Sequence, residues 1–471
     1  MKTLFNGLLI LICIAANAQP NTGFTGTWSG KVNVGVELRI VFHIKQTAAG
    51  GLLSTADSPD QSAYGLKCDT TIVNGDQLSI EMRALRVSFT GKLLNDSTID
   101  GKFKQSVEVP LRLTKGEPIV KRNRPQTPQP PFPYKSEEVE YDHSDKSMHY
   151  GATITIPPGK GPFPAVVLIS GSGPQNRDEE ILGHKPFAVI ADAFARNGIM
   201  TLRVDDRGVG KTSGKFQGAT SADFADDAEA SLNYLLSRPE SDRRKIGLLG
   251  HSEGGMIAPM IAAKRKEVSF IILLAGPGEK TIDLMTEQNV AILVSQKINK
   301  TAADAYGSLY KQIATAIVNS PDSLAATTNA KRVLNEWVDA TNVEIIRQLG
   351  FSTEKQQEEY IRSMVESLSE KWFKYFLSFD PAVYLQQLHC KVLALNGDKD
   401  VQVLSSSNLA AIQAALKKSK SKSYEVRELP GLNHLFQHCT KCTLQEYGEL
   451  DETFSPEVLT IMTDWIEKNV K

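Results

Sequence analysis

The chain has 471 residues, with 53 Lys+Arg against 54 Asp+Glu and a formal net charge of −1. That length exceeds one ordinary core, so two or three domains are expected. The balanced charge, with no concentrated basic patch, excludes nucleic acid as a partner, and the composition is that of a soluble globular protein.

Lys2 precedes an apolar run, Leu8 to Ala16, that ends in Ala16-Asn17-Ala18 before Gln19. This pattern predicts a signal peptide over 1–18, because the run is too short for a membrane span and the small residues suit a cleavage site. Export, to the periplasm or beyond, is the expectation that follows. Residues 19–116 then form short β-prone runs such as "VELRIVFHI", "QLSIEM", "RVSFTGKL" and "VPLRLT". Asn74-Gly75-Asp76 and Asn95-Asp96 separate them at hairpin spacing. Roughly eight strands predict a small antiparallel β domain, barrel or sandwich. Gly26-Thr27-Trp28 resembles the opening of lipocalin-type barrels, with Trp28 read as a plug for the interior.

Six prolines fall within "EPIVKRNRPQTPQPPFPY". Proline fixes φ and donates no backbone N–H, so an extended linker is expected over 117–133. From 134 to 471 the pattern alternates. "AVVLISGSG" and "IMTLRVDDRG" read as buried strands and "KPFAVIADAFARNG" as a helix. "SADFADDAEASLNYLLSR" reads as a second helix, capped by Ser221. Strands alternating with helices predict an α/β domain with a mostly parallel central sheet. Residues 280–380 break the rhythm with amphipathic helical spacing, as in "RVLNEWVDA", and are expected to form an inserted helical cap.

Gly250-His251-Ser252-Glu253-Gly254 lies between an apolar run and a helical one. At such a tight turn side chains flanking the serine would collide with nearby backbone, so glycine is required on both sides and the hydroxyl is pushed clear of the sheet. A serine is a weak nucleophile until a base and an orienting acid assist it. After a later strand-like run, "KVLALNGDKDVQV" offers Asp398 and Asp400. Gly397-x-x-Asp400-x-x-Val403 resembles the spacing at which hydrolases with such a serine turn place their acid, so the resemblance implies Asp400 and leaves Asp398 as a turn residue. His434 follows on a loop opened by Pro430-Gly431 and is the expected base. Oxyanion donors are expected from the amides of Ser172 and Glu253, with Gly171 the alternative.

"LISGSGPQNRDE", "RVDDRGVGKT", "GLLGHSEGG", "ALNGDKDVQV" and "GLNHLFQ" together resemble the α/β-hydrolase superfamily. More narrowly, the chain resembles exported bacterial carboxylesterases related to the serine-aminopeptidase-like branch. The resemblance implies an α/β-hydrolase fold and a catalytic triad of Ser252, Asp400 and His434. It also implies a small-molecule acyl ester as substrate, with no cofactor, metal or membrane span. The alternatives are a serine exopeptidase and a non-catalytic binding protein that keeps the fold. The β domain is where glycan or cell-envelope contact would be made.

Three smaller questions are open at this level. Arg177 and Asp178 either touch substrate or tie down the cap, whereas Asp205 and Arg207 are expected to hold their own loop. Cys439 and Cys442 allow a local disulfide, two thiols or half a metal site; a complete zinc site would need about four ligands.

Overall fold

A computed structural model describes residues 22–33, 37–47, 50–59, 63–85, 87–105, 108–116, 123–421 and 423–470. The signal peptide expected over 1–18 lies outside the described residues. The chain divides into two compact units, 1–121 and 122–471.

The first unit holds nine antiparallel strands among its described residues. They are β1 (Gly26–Asn33), β2 (Glu37–Gln46), β3 (Leu52–Ser58), β4 (Ala63–Lys67), β5 (Thr70–Asn74), β6 (Gln77–Met82), β7 (Val87–Asn95), β8 (Thr98–Lys104) and β9 (Glu108–Lys115). Their order is β4-β3-β2-β1-β9-β8-β7-β6-β5. This is one sheet, not a two-sheet sandwich, and it curls until its ends meet. Ser54 Oγ on β3 lies 2.6 Å from Thr71 Oγ1 on β5, and the Cys68 amide donates to the Ser54 carbonyl. Alternate residues point inward, as the period of a pleated strand requires. Trp28, Phe42, Leu78, Phe89 and Leu113 thereby make a core of their own. Trp28 is fully buried and its indole N–H donates to the Phe24 carbonyl at 2.7 Å, so it plugs this interior as expected.

The second unit is built on an eight-stranded sheet of order β10-β11-β13-β12-β14-β15-β16-β17. Its strands are β10 (Lys135–Asp142), β11 (His149–Ile156), β12 (Phe163–Ile169), β13 (Met200–Val204), β14 (Ser241–His251), β15 (Val268–Leu274), β16 (Lys391–Gly397) and β17 (Tyr424–Leu429). Only β10/β11 and β11/β13 pair antiparallel. The central strands are apolar on both faces because both are covered. Val167 and Ile169 join a core with α2 (Ser221–Ser237) and α3 (Glu253–Ala262), whereas Val166 and Leu168 face α1 (Pro186–Arg196). Each such side chain contributes about 1.5–3 kcal/mol on burial, so both faces need their helices.

Helix α2 starts one residue earlier than its sequence suggests. Thr220, not Ser221, is the cap, its amide donating to Asp223 Oδ2 at 2.7 Å. Ser221 turns inward instead and donates to Glu253 Oε1.

The first six helices after β15 form the insertion, α4 (Thr281–Ser295), α5 (Lys300–Val318), α6 (Ser323–Ala340), α7 (Val343–Gln348), α8 (Glu354–Leu368) and α9 (Lys371–Leu377). Asn299, Asp322, Asn342 and Thr353 each accept a first-turn amide at a helix start, which fixes where α5 to α8 begin. Their apolar faces enclose a separate core that includes Leu309, Ile313, Leu334, Trp337, Ile361 and Val365. Three further helices, α10 (Ala382–Leu385), α11 (Ser405–Leu416) and α12 (Pro456–Asn469), complete the layers.

The later part of the proline-rich stretch is a strap on the second unit. Arg124 donates to the carbonyls of Leu182, Gly448 and Leu450, and Gln126 donates to Phe454. Proline content identifies an extended backbone but not whether side chains anchor it.

Candidate active site

Ser252 follows the last residue of β14 and precedes the first of α3. Its φ is 52° and its ψ −117°, a conformation that costs a non-glycine residue about 1–3 kcal/mol and persists only where the surroundings impose it. Three glycines make the imposition possible. A Cβ on Gly250 would sit 2.0 Å from the Gly254 carbonyl oxygen, and one on Gly254 would sit 2.1 Å from that of Ile169. One on Gly255 would lie 2.6 Å from Gly276 Cα. The turn is closed by the Ser252 amide on the Leu274 carbonyl and the Gly255 amide on the Ser252 carbonyl.

Asp400 and His434 come from the loops after β16 and β17 and meet with Nδ1 2.8 Å from Oδ2. Both are buried. The other Asp400 oxygen accepts the amides of Gln402 and Val403 at 2.7 and 2.9 Å, which fixes the carboxylate's direction. Asp398 holds the turn instead, with Oδ1 accepting the Gly431 amide at 2.6 Å. Of the two acids, it is thus Asp400 that faces His434.

Ser172 is exposed on the loop after β12, and Glu253 opens α3, where first-turn amides lack intrahelical acceptors. Gly171, the alternative donor, is engaged: its amide donates to Glu179 Oε1 at 2.7 Å. The Glu253 side chain is buried, with Oε1 accepting from Trp372 Nε1 at 2.9 Å as well as from Ser221. Burial pushes its carboxyl above the ordinary range, only partly offset by hydrogen bonds from Ser221, Trp372 and Ser172. Trp372 belongs to α9, so the residue after the serine is joined to the cap.

Arg177 and Asp178 neither reach the cap nor stand open. Arg177 pairs with Asp205 at 2.6 Å and donates to Thr153, while Asp178 pairs with Arg203 on β13. Burial opposes ionisation of Asp205, yet Arg177 holds its carboxyl below the usual range. Arg207 pairs with Asp227 at 2.7 Å, so Asp205 and Arg207 serve their own neighbourhood as expected. Cys439 and Cys442 are a disulfide, and the amides of Thr440, Lys441 and Cys442 converge on the Glu446 carboxylate beside it.

Three buried or half-buried groups were not foreseen. His251 lies between Glu179 Oε1 at 2.9 Å and the His434 carbonyl at 3.0 Å. Asp206 accepts from Ser170 Oγ and the Gln175 amide, both at 2.8 Å, and is pushed up to about 7 by desolvation despite them. It lines a cavity of about 50 Å³ with Ser170, Gly171, Phe216, Phe224 and Glu253. His251's place inside the G-x-S-x-G turn was the available signal. Glu179, in the run Arg177-Asp178-Glu179-Glu180, reads as one more charge on a solvated face.

Residues 184–361 match the family profile described as "Serine aminopeptidase, S33", a stretch that contains Ser252 but ends before Asp400 and His434. Esterase EstD of Thermotoga maritima is 36% identical over 135 residues, 29% of this chain and 32% of that protein. Human mitochondrial acyl-coenzyme A thioesterase 2 is 26% identical over 174 residues, 36% of this chain and 32% of that one. These matches span about a third of the length of the curated relatives. Among solved structures, Pyrococcus furiosus esterase Pf2001 aligns with a TM-score of 0.42 and 14% identity, covering 72% of this chain and 92% of that one. The second unit thus has the strand order of an α/β-hydrolase fold, and residues 184–361 within it resemble that family's profile.

Proposed function

We propose that the chain is a serine hydrolase of carboxylic esters. Ser252 Oγ attacks the acyl carbonyl and His434 takes its proton through Nε2. Asp400, bound to Nδ1, holds the ring in that tautomer and stabilises the imidazolium. The amides of Ser172 and Glu253 receive the oxyanion, and the acyl-enzyme is cleared by water that His434 activates. The observation that carries the reading is the buried 2.8 Å Asp400–His434 pair, on the loops after β16 and β17, in the same unit as a serine forced into positive φ. Esterase EstD among the relatives supports an ester substrate.

A second reading is exopeptidase, favoured by the serine aminopeptidase profile. One panel separates the two: p-nitrophenyl esters of rising acyl length, a short acyl thioester, and aminoacyl p-nitroanilides, with wild type and Ser252→Ala. Ester turnover falling at least about 10⁴-fold in Ser252→Ala is the expected result. Anilide turnover rivalling the esters favours the peptidase, and turnover that survives Ser252→Ala ends both readings.

Export also belongs to this proposal, on Ala16-Asn17-Ala18. A mature N-terminus at Gln19 in the secreted or periplasmic fraction is the expected finding. For the β domain, glycan or envelope binding is tested by titrating the Gln19–Lys115 fragment, and no binding favours a spacer.

A further inference from the structure

His251 has acceptors on both sides. Its Nδ1 faces a carboxylate oxygen of Glu179 and its Nε2 faces the main-chain carbonyl of His434. The carbonyl can only accept, and with Glu179 as a carboxylate it too can only accept, so both ring nitrogens donate and the ring is an imidazolium. The same Glu179 oxygen takes the Gly171 amide, which gives this carboxylate two donors. Glu179 and His251 are 1% and 4% exposed, so the pair is shielded from water and from salt.

We propose that Glu179 and His251 are positioning residues for the reaction, a buried ion pair that fixes three active-site segments at once. Glu179 holds the oxyanion loop through Gly171. His251, inside the serine's own turn, ties that turn to Glu179 on one side and to the base's backbone on the other. The span is short: a Cβ on Gly171 would lie 3.2 Å from Ser252 Cβ, and the rings of His251 and His434 are 4.8 Å apart. A neutral His251 ring, with one N–H given to Glu179, would leave the loop after β17 to be held by Asp400 and its own turn. With His251 charged, the backbone of His434 is held as well as its ring.

The groups facing His251 agree with its charge. Burial opposes it, but Glu179, the His434 carbonyl and the more distant Asp400 favour it, and the ring's pKa is raised overall. Of the other neighbours, the His434 ring is stacked at a tilt and Phe436 presents an edge, while Asp206 senses Glu179 from the far side of the loop.

The inference rests on the hydrolase reading for its catalytic consequence, but its core is measurable in resting protein. Nitrogen-15 spectra of histidine-labelled wild type at about pH 7.5 are expected to show His251 with both ring nitrogens protonated, where an ordinary histidine is mostly neutral. A neutral tautomer there overturns the ion pair. Glu179→Gln keeps the shape and one acceptor but removes the charge. It is expected to lower kcat for esters about 10–100-fold with KM within about threefold, the mark of lost positioning rather than lost binding. It is also expected to broaden the low-field proton between His434 Nδ1 and Asp400. An imidazolium in wild type with kcat unchanged in Glu179→Gln overturns the positioning role. Failure of the hydrolase reading looks different: wild type is then silent on esters while both spectroscopic signatures persist.

Discussion

At the scale of the residue, the acid is the sharpest discrimination available. Asp400→Asn preserves size but lets the amide favour the wrong tautomer of His434, so kcat should fall about 10³–10⁴-fold. Asp398→Asn, which alters the support of the Gly431 amide and a pair with Lys399, should cost less than about tenfold, and parallel kinetics on one ester compare the two. Glu253 makes a different prediction. Its carboxyl is raised by burial, so between the ordinary carboxyl range and its folded value the unfolded chain releases a proton that the folded chain keeps. Stability therefore falls as pH rises through that window. Glu253→Gln keeps the acceptor for Ser221 and Trp372 and removes the penalty. Thermal melts should place it a few degrees above wild type at pH 8, with the gap closing toward pH 4. In the sequence, Asp400 is set apart from Asp398 by the resemblance of Gly397-x-x-Asp400-x-x-Val403 to a hydrolase pattern, not by a local physical rule. Glu179 and His251 are not legible in the same way. Their partners lie 72 and 183 residues from His251, and nothing local distinguishes a buried charge from a solvated one.

At the scale of the element, the serine's turn is a problem of volume. Gly254→Ala drives a methyl to 2.1 Å from the Ile169 carbonyl, and backbone cannot step aside as a side chain can. Overpacking typically costs about 1–3 kcal/mol, and a clash with the two adjacent backbone carbonyls of Ile169 and Ser170 belongs at or above the upper end. Its expected outcome is a large fall in denaturant midpoint together with lost ester turnover. The glycines were legible as a demand of the turn before any contact was known. The start of α2 was not, because by residue type Ser221 is the better cap, yet Thr220 is the one used. What separates them is that Ser221 is drawn to Glu253, a contact 32 residues away. The disulfide was one of several outcomes that the spacing of Cys439 and Cys442 allowed, since sequence fixes the reach of such a pair but not its oxidation.

At the scale of the whole molecule, alternation of apolar runs with helical spacing was enough for the sheet, and its interruption was enough for the cap. Strand order and the closing of the first sheet on itself depend on pairings that no local pattern encodes. The proline-rich stretch shows the same limit, for its anchoring to residues 448–454 rests on Arg124 and Gln126 rather than on proline. Each unit has its own core, and every residue proposed for catalysis lies in the second. A chain beginning at Arg122 is therefore expected to keep kcat/KM within about twofold, measured on the ester that the full chain prefers. Thr281, where the cap begins, places both its amide and its hydroxyl on the carbonyl of Phe379, 98 residues later, and its hydroxyl also on that of Phe376. To the strands on either side, the whole insertion is one stitched bend. Such a seam makes the cap a cassette: it can be rewritten, lengthened or exchanged over evolutionary time while the sheet it is inserted into is inherited unchanged.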